Sequence, residues 1–279
     1  MTGHAAMNPR IASMPNLRDA GGHRTADGRM MRPGLLYRAD HSAQLSPTER
    51  SALAGLGIKT VYDLRTDAER AMQPGECIPG ARHVPLDLMA DDRQAGPAQL
   101  LRLLEHPRAA KAALGDGRAV ALFVEGYRSV VKLPSALAGL RGLYGGLAGE
   151  GALPALCHCT TGKDRTGWTC AALQTLLGVP YEDVMEDFLA SNRYVMPKYR
   201  ARVEEFAARG GDASLLEPVL SVRPEYLEAS FDEIRRTYGS IEGYFGEGLG
   251  LDENAQQALH ERFLATDTDV AGLRARRSQ

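Results

Sequence analysis

The sequence predicts an α/β fold in which helices flank a central, mostly parallel sheet. Two observations support this fold class. Short segments rich in β-forming residues alternate with helical patterns in the first half of the chain, whereas helical patterns dominate the second half. In addition, one apolar segment runs through a glycine-containing loop into a helix that is apolar on nearly every side, which is typical of a buried strand ending at a sheet edge.

Two strands and an intervening helix are expected early in the chain. Residues 34–38 form a short β-rich segment after several turn-forming glycines. Ser46 can cap a helix, and Glu49 completes a capping box with it. Gly57 is a typical helix stop, and residues 58–64 are again rich in β-forming side chains.

A further strand is predicted over residues 82–86. Before it, Arg65 and Glu69 are four residues apart, which is the spacing of an ion pair on one face of a helix. We therefore expect a buried or capping ion pair at these two positions.

Helical patterns fill most of the remaining chain. Residues 120–143 predict one long helix or two shorter ones divided near Pro134. Further helices are predicted over residues 168–177, from Pro180 to Ser191, and over residues 199–209, 224–238 and 252–264.

We interpret residues 14–265 as a single domain with loose termini at residues 1–13 and 266–279. Residues 93–133 form a helical insertion in this domain, with an apolar patch of leucines between residues 100 and 104.

Composition narrows the function classes. The chain has 279 residues, with 33 basic and 35 acidic side chains and a formal net charge of −2, which argues against nucleic-acid binding. Four cysteines are too few for a disulfide framework in a chain of this length and suit a reducing compartment. The first residues lack the apolar core of a signal peptide, and no segment approaches the roughly 20 apolar residues of a membrane span. We expect a cytoplasmic location, with export without a conventional signal as the open alternative.

The most informative stretch is the loop that begins at Cys159 and ends at Arg165. A loop that opens a helix can bind a phosphate dianion, because its amide groups and the helix N-terminus carry partial positive charge. Arg165 can add a bidentate fork for two phosphate oxygens. The predicted phosphate-binding residues are Thr160, Thr161, Gly162, Lys163, Asp164, Arg165 and Thr166.

A cysteine in such a loop can act as a nucleophile. The positive field favours the thiolate of Cys159, which would lie beneath the bound phosphate for in-line attack and would form a cysteinyl-phosphate. Thr166 can donate its hydroxyl to the sulfur as the intermediate breaks down. Gly162 allows backbone torsions that a side chain would prevent.

The stretch from His158 to Gly167 resembles the signature of the cysteine-dependent protein tyrosine phosphatase superfamily. The motif Asn16-Leu17-Arg18-Asp19-Ala20-Gly21-Gly22, residues 34–38 and Asp63-Leu64-Arg65 resemble a bacterial and fungal branch that includes secreted mycobacterial phosphatases and atypical lipid phosphatases. The resemblance covers most of residues 14–250 and implies a phosphatase-like fold and hydrolysis of phosphate monoesters. No second cluster of ligand side chains accompanies His158, so we expect no metal, and we expect no cofactor.

The resemblance implies phosphotyrosine in proteins as a substrate, with phosphoinositides and phosphoserine or phosphothreonine as further candidates. Lys163 and Asp164 resemble the loop residues of lipid phosphatases, where a movable positive charge at the rim would meet extra phosphates. The alternative for Lys163 is that it only balances Asp164. The alternative function is a phosphate-recognition module without turnover, but such modules usually lack the nucleophile or the arginine, and Cys159 and Arg165 are both present.

Two aspartates are candidates for the general acid that protonates the leaving group. Asp164 lies in the loop, as in myotubularin-type phosphatases, and a phosphate dianion beside it would favour its protonated form. Asp87 follows the strand at residues 82–86, where this superfamily often places its acid, and Asp91 and Asp92 stand behind it. Ion pairing of Asp164 and a solvated acidic loop around Asp87 are the structural alternatives.

Other residues near the motifs have structural explanations. Arg18, Asp19 and Arg38 are expected to make ion pairs and turn hydrogen bonds rather than phosphate contacts. His158 is expected to bond the loop backbone, and Cys157 is either a core thiol or a partner for a protective bridge with Cys159. In related enzymes, insertions such as residues 93–133 can cover the active site as a lid; plain packing on the sheet is the alternative.

Overall fold

Five short strands form one sheet in the computed structural model, which describes residues 11–41, 44–92 and 106–265. The strands are β1 (Arg18–Asp19), β2 (Leu36–Ala39), β3 (Thr60–Asp63), β4 (Arg82–Pro85) and β5 (Ala155–His158). Their order is β1-β2-β5-β3-β4, and all neighbours are parallel except β1 and β2. The predicted central, mostly parallel sheet is confirmed.

Strand β5 lies at the centre of this sheet. Cys157 is in register with Arg38 of β2 on one side and Tyr62 of β3 on the other. The carboxyl ends of β2, β3 and β5 therefore meet at one edge, which is where parallel sheets place ligand sites. The loop that starts at Cys159 leaves from this edge.

Helices surround the sheet. They are α1 (Pro47–Ala54), α2 (Asp67–Met72), α3 (Pro107–Leu114), α4 (Arg118–Val130), α5 (Pro134–Ala148), α6 (Arg165–Leu176), α7 (Tyr181–Ala208), α8 (Glu217–Leu220), α9 (Pro224–Tyr238), α10 (Ile241–Gly243) and α11 (Glu253–Phe263), with short 3-10 and π turns at Ala213–Leu215 and Tyr244–Gly248. Among the described residues, no helix is both long and apolar enough to cross a membrane.

The local helix signals act as predicted in several places. Ser46 and Glu49 form the expected capping box at the start of α1. Helix α6 is buried along nearly its whole length, as its apolar sequence predicts. The division near Pro134 is also confirmed, because α4 ends at Val130 and Pro134 is the first residue of α5.

The predicted helix end at Ser191 is wrong, because α7 is 28 residues long and ends at Ala208. The polar pair that suggested an end bonds to neighbouring segments instead. Ser191 is buried and accepts hydrogen bonds from Arg18 and Arg38. Asn192 exchanges two hydrogen bonds with the backbone of Val222. Serine and asparagine often cap helix ends, but here their side chains bond to other segments of the fold and the helix continues.

The described part of the predicted insertion, residues 106–133, contains α3 and α4. Helix α4 packs along α9, where the Ser230 hydroxyl donates to the Tyr127 carbonyl at 2.7 Å and Lys132 pairs with Glu233 at 3.1 Å. The predicted leucine patch and the rest of the insertion lie outside the described residues.

The chain joins the packed structure earlier than the predicted lead-in suggests. Ile11 is buried beside Met14 and Leu17 in a second apolar cluster. The Ser13 amide and hydroxyl both donate to Glu49 of α1. Residues 11–13 are therefore held by apolar burial and by two hydrogen bonds, while residues 1–10 and 266–279 lie outside the described part.

A buried carboxylate connects the first two strands to α7. The two oxygens of Asp187 accept from Arg18 Nε at 3.0 Å and from Arg38 Nη1 at 2.7 Å. Arg38 is fully buried within the sheet. Burial alone would raise the pKa of Asp187, but the two guanidinium groups hold it well below its usual range. Asp187 is therefore the counterion that offsets the desolvation cost of burying the two guanidinium groups.

We expect Asp187→Ala to lower the free energy of unfolding by about 3–5 kcal/mol, because two buried guanidinium groups lose their counterion. Urea denaturation at neutral pH measures this loss. Because the folded-state pKa of Asp187 is depressed, its contribution is present above pH 3.8 and fades as the pH falls below that value. The difference between wild type and variant should shrink in the same direction. Asp232→Ala, which removes an exposed pair with Arg235, is the matched control and should change stability little.

Candidate active site

The loop of residues 159–165, called the phosphate loop below, connects central strand β5 to buried helix α6. Gly162 has a φ of +68°, and a Cβ atom there would lie 2.3 Å from the carbonyl oxygen of Ala39. Glycine is therefore required both by the backbone torsion and by the close approach of β2. The loop turns tightly against the sheet edge before α6 begins at Arg165.

The amide groups of this loop are available to a ligand. None of the backbone amides of residues 160–164 donates a hydrogen bond to another described group, and no described side chain caps the N-terminus of α6. Unpaired amides at the start of a helix form a ready site for an anion. The phosphate-binding role of residues 160–166 stays a prediction.

Arg165 is oriented by two acceptors on one side of its guanidinium. Nη1 and Nη2 donate to the carboxylate of Glu69 at 2.6 and 2.7 Å, and Nη1 also donates to the Leu64 carbonyl at 3.1 Å. Within the described chain, the Nε–H and the second Nη2–H have no acceptor. These two parallel donors lie on one edge of the fork, which is the edge that can bind two phosphate oxygens.

Glu69 is the functional residue that sequence reasoning missed. The expected ion pair between Arg65 and Glu69 is wrong, because Arg65 pairs with Asp63 at 2.7 Å and Glu69 pairs with Arg165. Glu69 also accepts from the Thr160 hydroxyl, so it contacts both ends of the phosphate loop. Besides its spacing from Arg65, Glu69 stands three residues after Thr66, and the two form a capping box at the start of α2. Neither spacing points to Arg165.

The charge of Glu69 persists at neutral pH. Burial alone would raise the pKa of this carboxyl, but hydrogen bonds and the charge of Arg165 outweigh burial and lower it to about 2. The contribution of this ion pair to stability is therefore full above pH 4.5 and is lost as the pH falls from there through about 2.

Two more side chains fix the carbonyl groups on the outer side of the loop. Arg38 Nη2 donates to the Gly162 carbonyl at 3.0 Å, and Asn16 Nδ2 donates to the Thr161 carbonyl at 2.9 Å. The expected ion pairs of Arg18 and Arg38 are confirmed, and Asp19 accepts from two amides as a turn residue. These two hydrogen bonds hold the loop carbonyls from the outer side.

The nucleophile candidate, Cys159, is buried at the base of the loop. The Thr166 hydroxyl is also buried and has no hydrogen-bond partner within the described chain. A buried hydroxyl without a partner is unusual, and it is expected where the hydroxyl bonds to the substrate or to an intermediate of the reaction. The Cys157 sulfur lies 3.8 Å from that of Cys170 in the core, and no described cysteine is in a disulfide. Cys157 is therefore a buried core thiol, which is one of the two alternatives expected from the sequence.

His158 supports the loop from the strand side. Its Nδ1 lies 3.4 Å from the Cys159 carbonyl oxygen, as expected for a structural role, and its Nε2 lies 3.9 Å from Asp63. The ring stacks on His41 at 5.8 Å. Burial lowers the pKa of both imidazoles, that of His41 to about 4, so both are neutral at physiological pH.

Lys163 lies inside the structure, so the expected movable charge at the rim is wrong for this conformation. Its ammonium lies 2.8 Å from both carboxylate oxygens of Asp164 and donates to the Ser221 carbonyl at 3.1 Å. It also lies 5.1 Å from the ring centroid of Phe123. The alternative, in which Lys163 balances Asp164, is the arrangement observed.

The two general-acid candidates differ in their surroundings. Asp164 shares the loop with Cys159 and Arg165, and its side chain is 30% exposed. The oxygens of Asp87 accept from the amides of Asp67 at 3.0 Å and Met89 at 2.9 Å, so this side chain caps the start of α2. Its neighbour Asp91 accepts from the Ser135 amide at 2.6 Å, at the start of α5.

Comparisons with known proteins identify the family to which this chain belongs. A family model described as the tyrosine phosphatase family matches residues 9–265. A Mycobacterium tuberculosis protein named triple specificity protein phosphatase PtpB is 32% identical over 254 residues, which cover 82% of this chain and 89% of that protein. A Cupriavidus necator protein, provisionally named a tyrosine-protein phosphatase, is 31% identical over 241 residues, covering 86% of this chain and 83% of that protein. The family model spans most of the chain, including the phosphate loop, and the chain therefore belongs to the tyrosine phosphatase family of enzymes.

Proposed function

We propose that the enzyme hydrolyses phosphate monoesters through a covalent cysteinyl-phosphate on Cys159. The observation that carries this proposal is the convergence of unpaired amides at residues 160–164, the free edge of Arg165 and a cysteine in one preorganised loop. Donors fixed in advance stabilise the charge that develops on the phosphoryl oxygens without reorganising during the reaction.

In the first step, the Cys159 thiolate attacks phosphorus and forms the S–P bond as the P–O ester bond breaks. The leaving oxygen takes a proton from Asp164, which we assign as the general acid. The structure supports Asp164 over Asp87, because Asp164 shares the loop with the nucleophile while Asp87 bonds to backbone amides at the start of α2.

In the second step, water attacks phosphorus and the S–P bond breaks. Asp164, now a carboxylate, takes the proton from the attacking water, and the thiolate of Cys159 is restored. The unpaired hydroxyl of Thr166 is available to donate to the departing sulfur. Inorganic phosphate then leaves the loop, and the original protonation states return.

The proposed primary substrate is phosphotyrosine in proteins. The name of the mycobacterial relative, triple specificity, supports a wider range for this chain that includes phosphoserine or phosphothreonine and phosphoinositides. The buried position of Lys163 argues against it as a rim cation for extra lipid phosphates in this conformation. Protein and lipid substrates therefore need direct comparison.

We expect the wild type to hydrolyse a phosphotyrosine peptide and Cys159→Ser to be inactive, because the serine hydroxyl is a far weaker nucleophile than a thiolate. The measurement is kcat/KM for a phosphotyrosine peptide and for soluble phosphoinositides, with rapid acid quench to trap phosphate on the protein. Turnover by Cys159→Ser at the wild-type rate would exclude the covalent route. If the wild type binds phosphate but turns over neither substrate, the chain is a recognition module.

The assignment of the acid predicts different pH–rate profiles for two variants. Asp164→Asn should lower kcat about 100-fold or more on substrates with poor leaving groups and should remove the basic limb of the profile, because no proton is left to donate. Asp87→Asn should keep that limb, since its side chain caps α2. If the two variants behave in the opposite way, Asp87 is the acid; an intact basic limb in both rejects both residues.

Glu69→Gln should weaken phosphate binding roughly 10- to 100-fold, because the amide cannot accept both hydrogen bonds that orient Arg165. The inhibition constant of inorganic phosphate measures this effect. Glu76→Gln is the control, since Glu76 bonds Arg50 and the Leu45 amide but no residue of the phosphate loop. Equal inhibition constants for wild type and Glu69→Gln would show that Glu69 does not orient the arginine.

A further inference from the structure

Two donors from different parts of the chain converge on Asp164. The Tyr127 hydroxyl donates to Oδ1 at 2.9 Å, and the Lys163 ammonium lies 2.8 Å from both Oδ1 and Oδ2. Oδ1 therefore accepts from both donors, whereas Oδ2 faces the ammonium alone. The two oxygens are not equivalent, because Oδ1 uses both of its lone pairs and Oδ2 keeps one free for a bond to another group.

Helix α4 supplies both of the aromatic contacts in this cluster. Phe123 and Tyr127 are four residues apart, so they lie on the same face of α4. The Phe123 ring lies 5.1 Å from the Lys163 ammonium, within the range of a cation–π contact. One helix of the insertion therefore contacts both the acid and the cation that balances it.

The Tyr127 ring is held in place independently of its hydroxyl. The ring lies 5.6 Å from the Tyr226 ring of α9 and 6.0 Å from the Phe188 ring of α7. Its carbonyl accepts from Ser230, also on α9. Burial, followed by the nearby Asp164 charge, raises the pKa of Tyr127 well above its usual value, so its hydroxyl keeps its proton.

We infer that Tyr127 is a positioning residue for the general acid: its hydroxyl bond to Oδ1 holds the Asp164 carboxyl so that Oδ2 presents the proton to the leaving group. This inference rests on the proposed role of Asp164. It also makes α4 part of the catalytic arrangement rather than only a cover for it. Tyr127 does not itself exchange a proton with the substrate.

The test compares two aryl phosphates that differ in leaving group. The departure of 4-nitrophenolate needs little proton donation, whereas the departure of phenolate from phenyl phosphate depends on it. In Tyr127→Phe, kcat for phenyl phosphate should fall roughly tenfold, while kcat for 4-nitrophenyl phosphate stays within about twofold of wild type. KM should be unchanged for both, because the hydroxyl does not contact the phosphate.

Tyr226→Phe is the matched control. It removes another buried tyrosine hydroxyl from the same aromatic cluster, one that donates to the Pro218 carbonyl at 2.7 Å rather than to Asp164. This variant should leave the ratio of the two kcat values at its wild-type level. Thermal unfolding of both variants reports any difference in folding. An equal loss on both substrates in Tyr127→Phe, or the same change of ratio in Tyr226→Phe, would overturn the inference.

A double-variant cycle separates this inference from the assignment of the acid. If Tyr127 acts through Asp164, adding Tyr127→Phe to Asp164→Asn should cause no further loss on phenyl phosphate. Additive losses mean that Tyr127 acts by another route and reject the positioning role. If Asp164→Asn alone shows no dependence on the leaving group, the acid assignment fails first, and the inference falls with it.

Discussion

The buried guanidinium of Arg38 is the constraint on which the active site depends. A cation with no solvent exposure inside a sheet requires a counterion, and Asp187 of α7 supplies it. The same guanidinium donates to the Gly162 carbonyl in the phosphate loop. The core and the loop are therefore linked, since the terminal nitrogens of Arg38 bond to Asp187, Ser191 and Gly162 only when strand, helix and loop are all in place.

A second ion pair, between Glu69 and Arg165, orients the arginine of the loop. Glu69 bonds to the end of the Arg165 guanidinium and leaves its Nε edge without an acceptor in the described chain. The carboxylate orients the arginine but also offsets part of its charge. The ion pair therefore weakens the electrostatic attraction of Arg165 for an anion but limits the direction from which an anion can bind it. A planar guanidinium with two parallel donors suits this arrangement better than the single ammonium of a lysine.

The sequence was most informative where function depends on contiguous residues. The phosphate loop, its leading strand and its buried helix could all be predicted because turn, cap and burial signals are local. The role of Glu69 could not, since its partner Arg165 is distant in sequence and the spacing rule favoured Arg65 instead. The role of Asp187 could not be predicted either, because its two arginine partners are also remote in sequence. Long-range charge pairing is the step that local patterns do not encode.

Helix α4 of the insertion contacts residues of the phosphate loop as well as α9. A helix that only shields a site can move without affecting the groups beneath it. Here the backbone of Tyr127 is bonded to α9 and its hydroxyl to Asp164, while Phe123 contacts Lys163. Any displacement of α4 from α9 must break the bond to Ser230, and it must also remove a donor from Asp164. In the mechanism proposed above, the orientation of the Asp164 carboxyl therefore depends on the position of this helix.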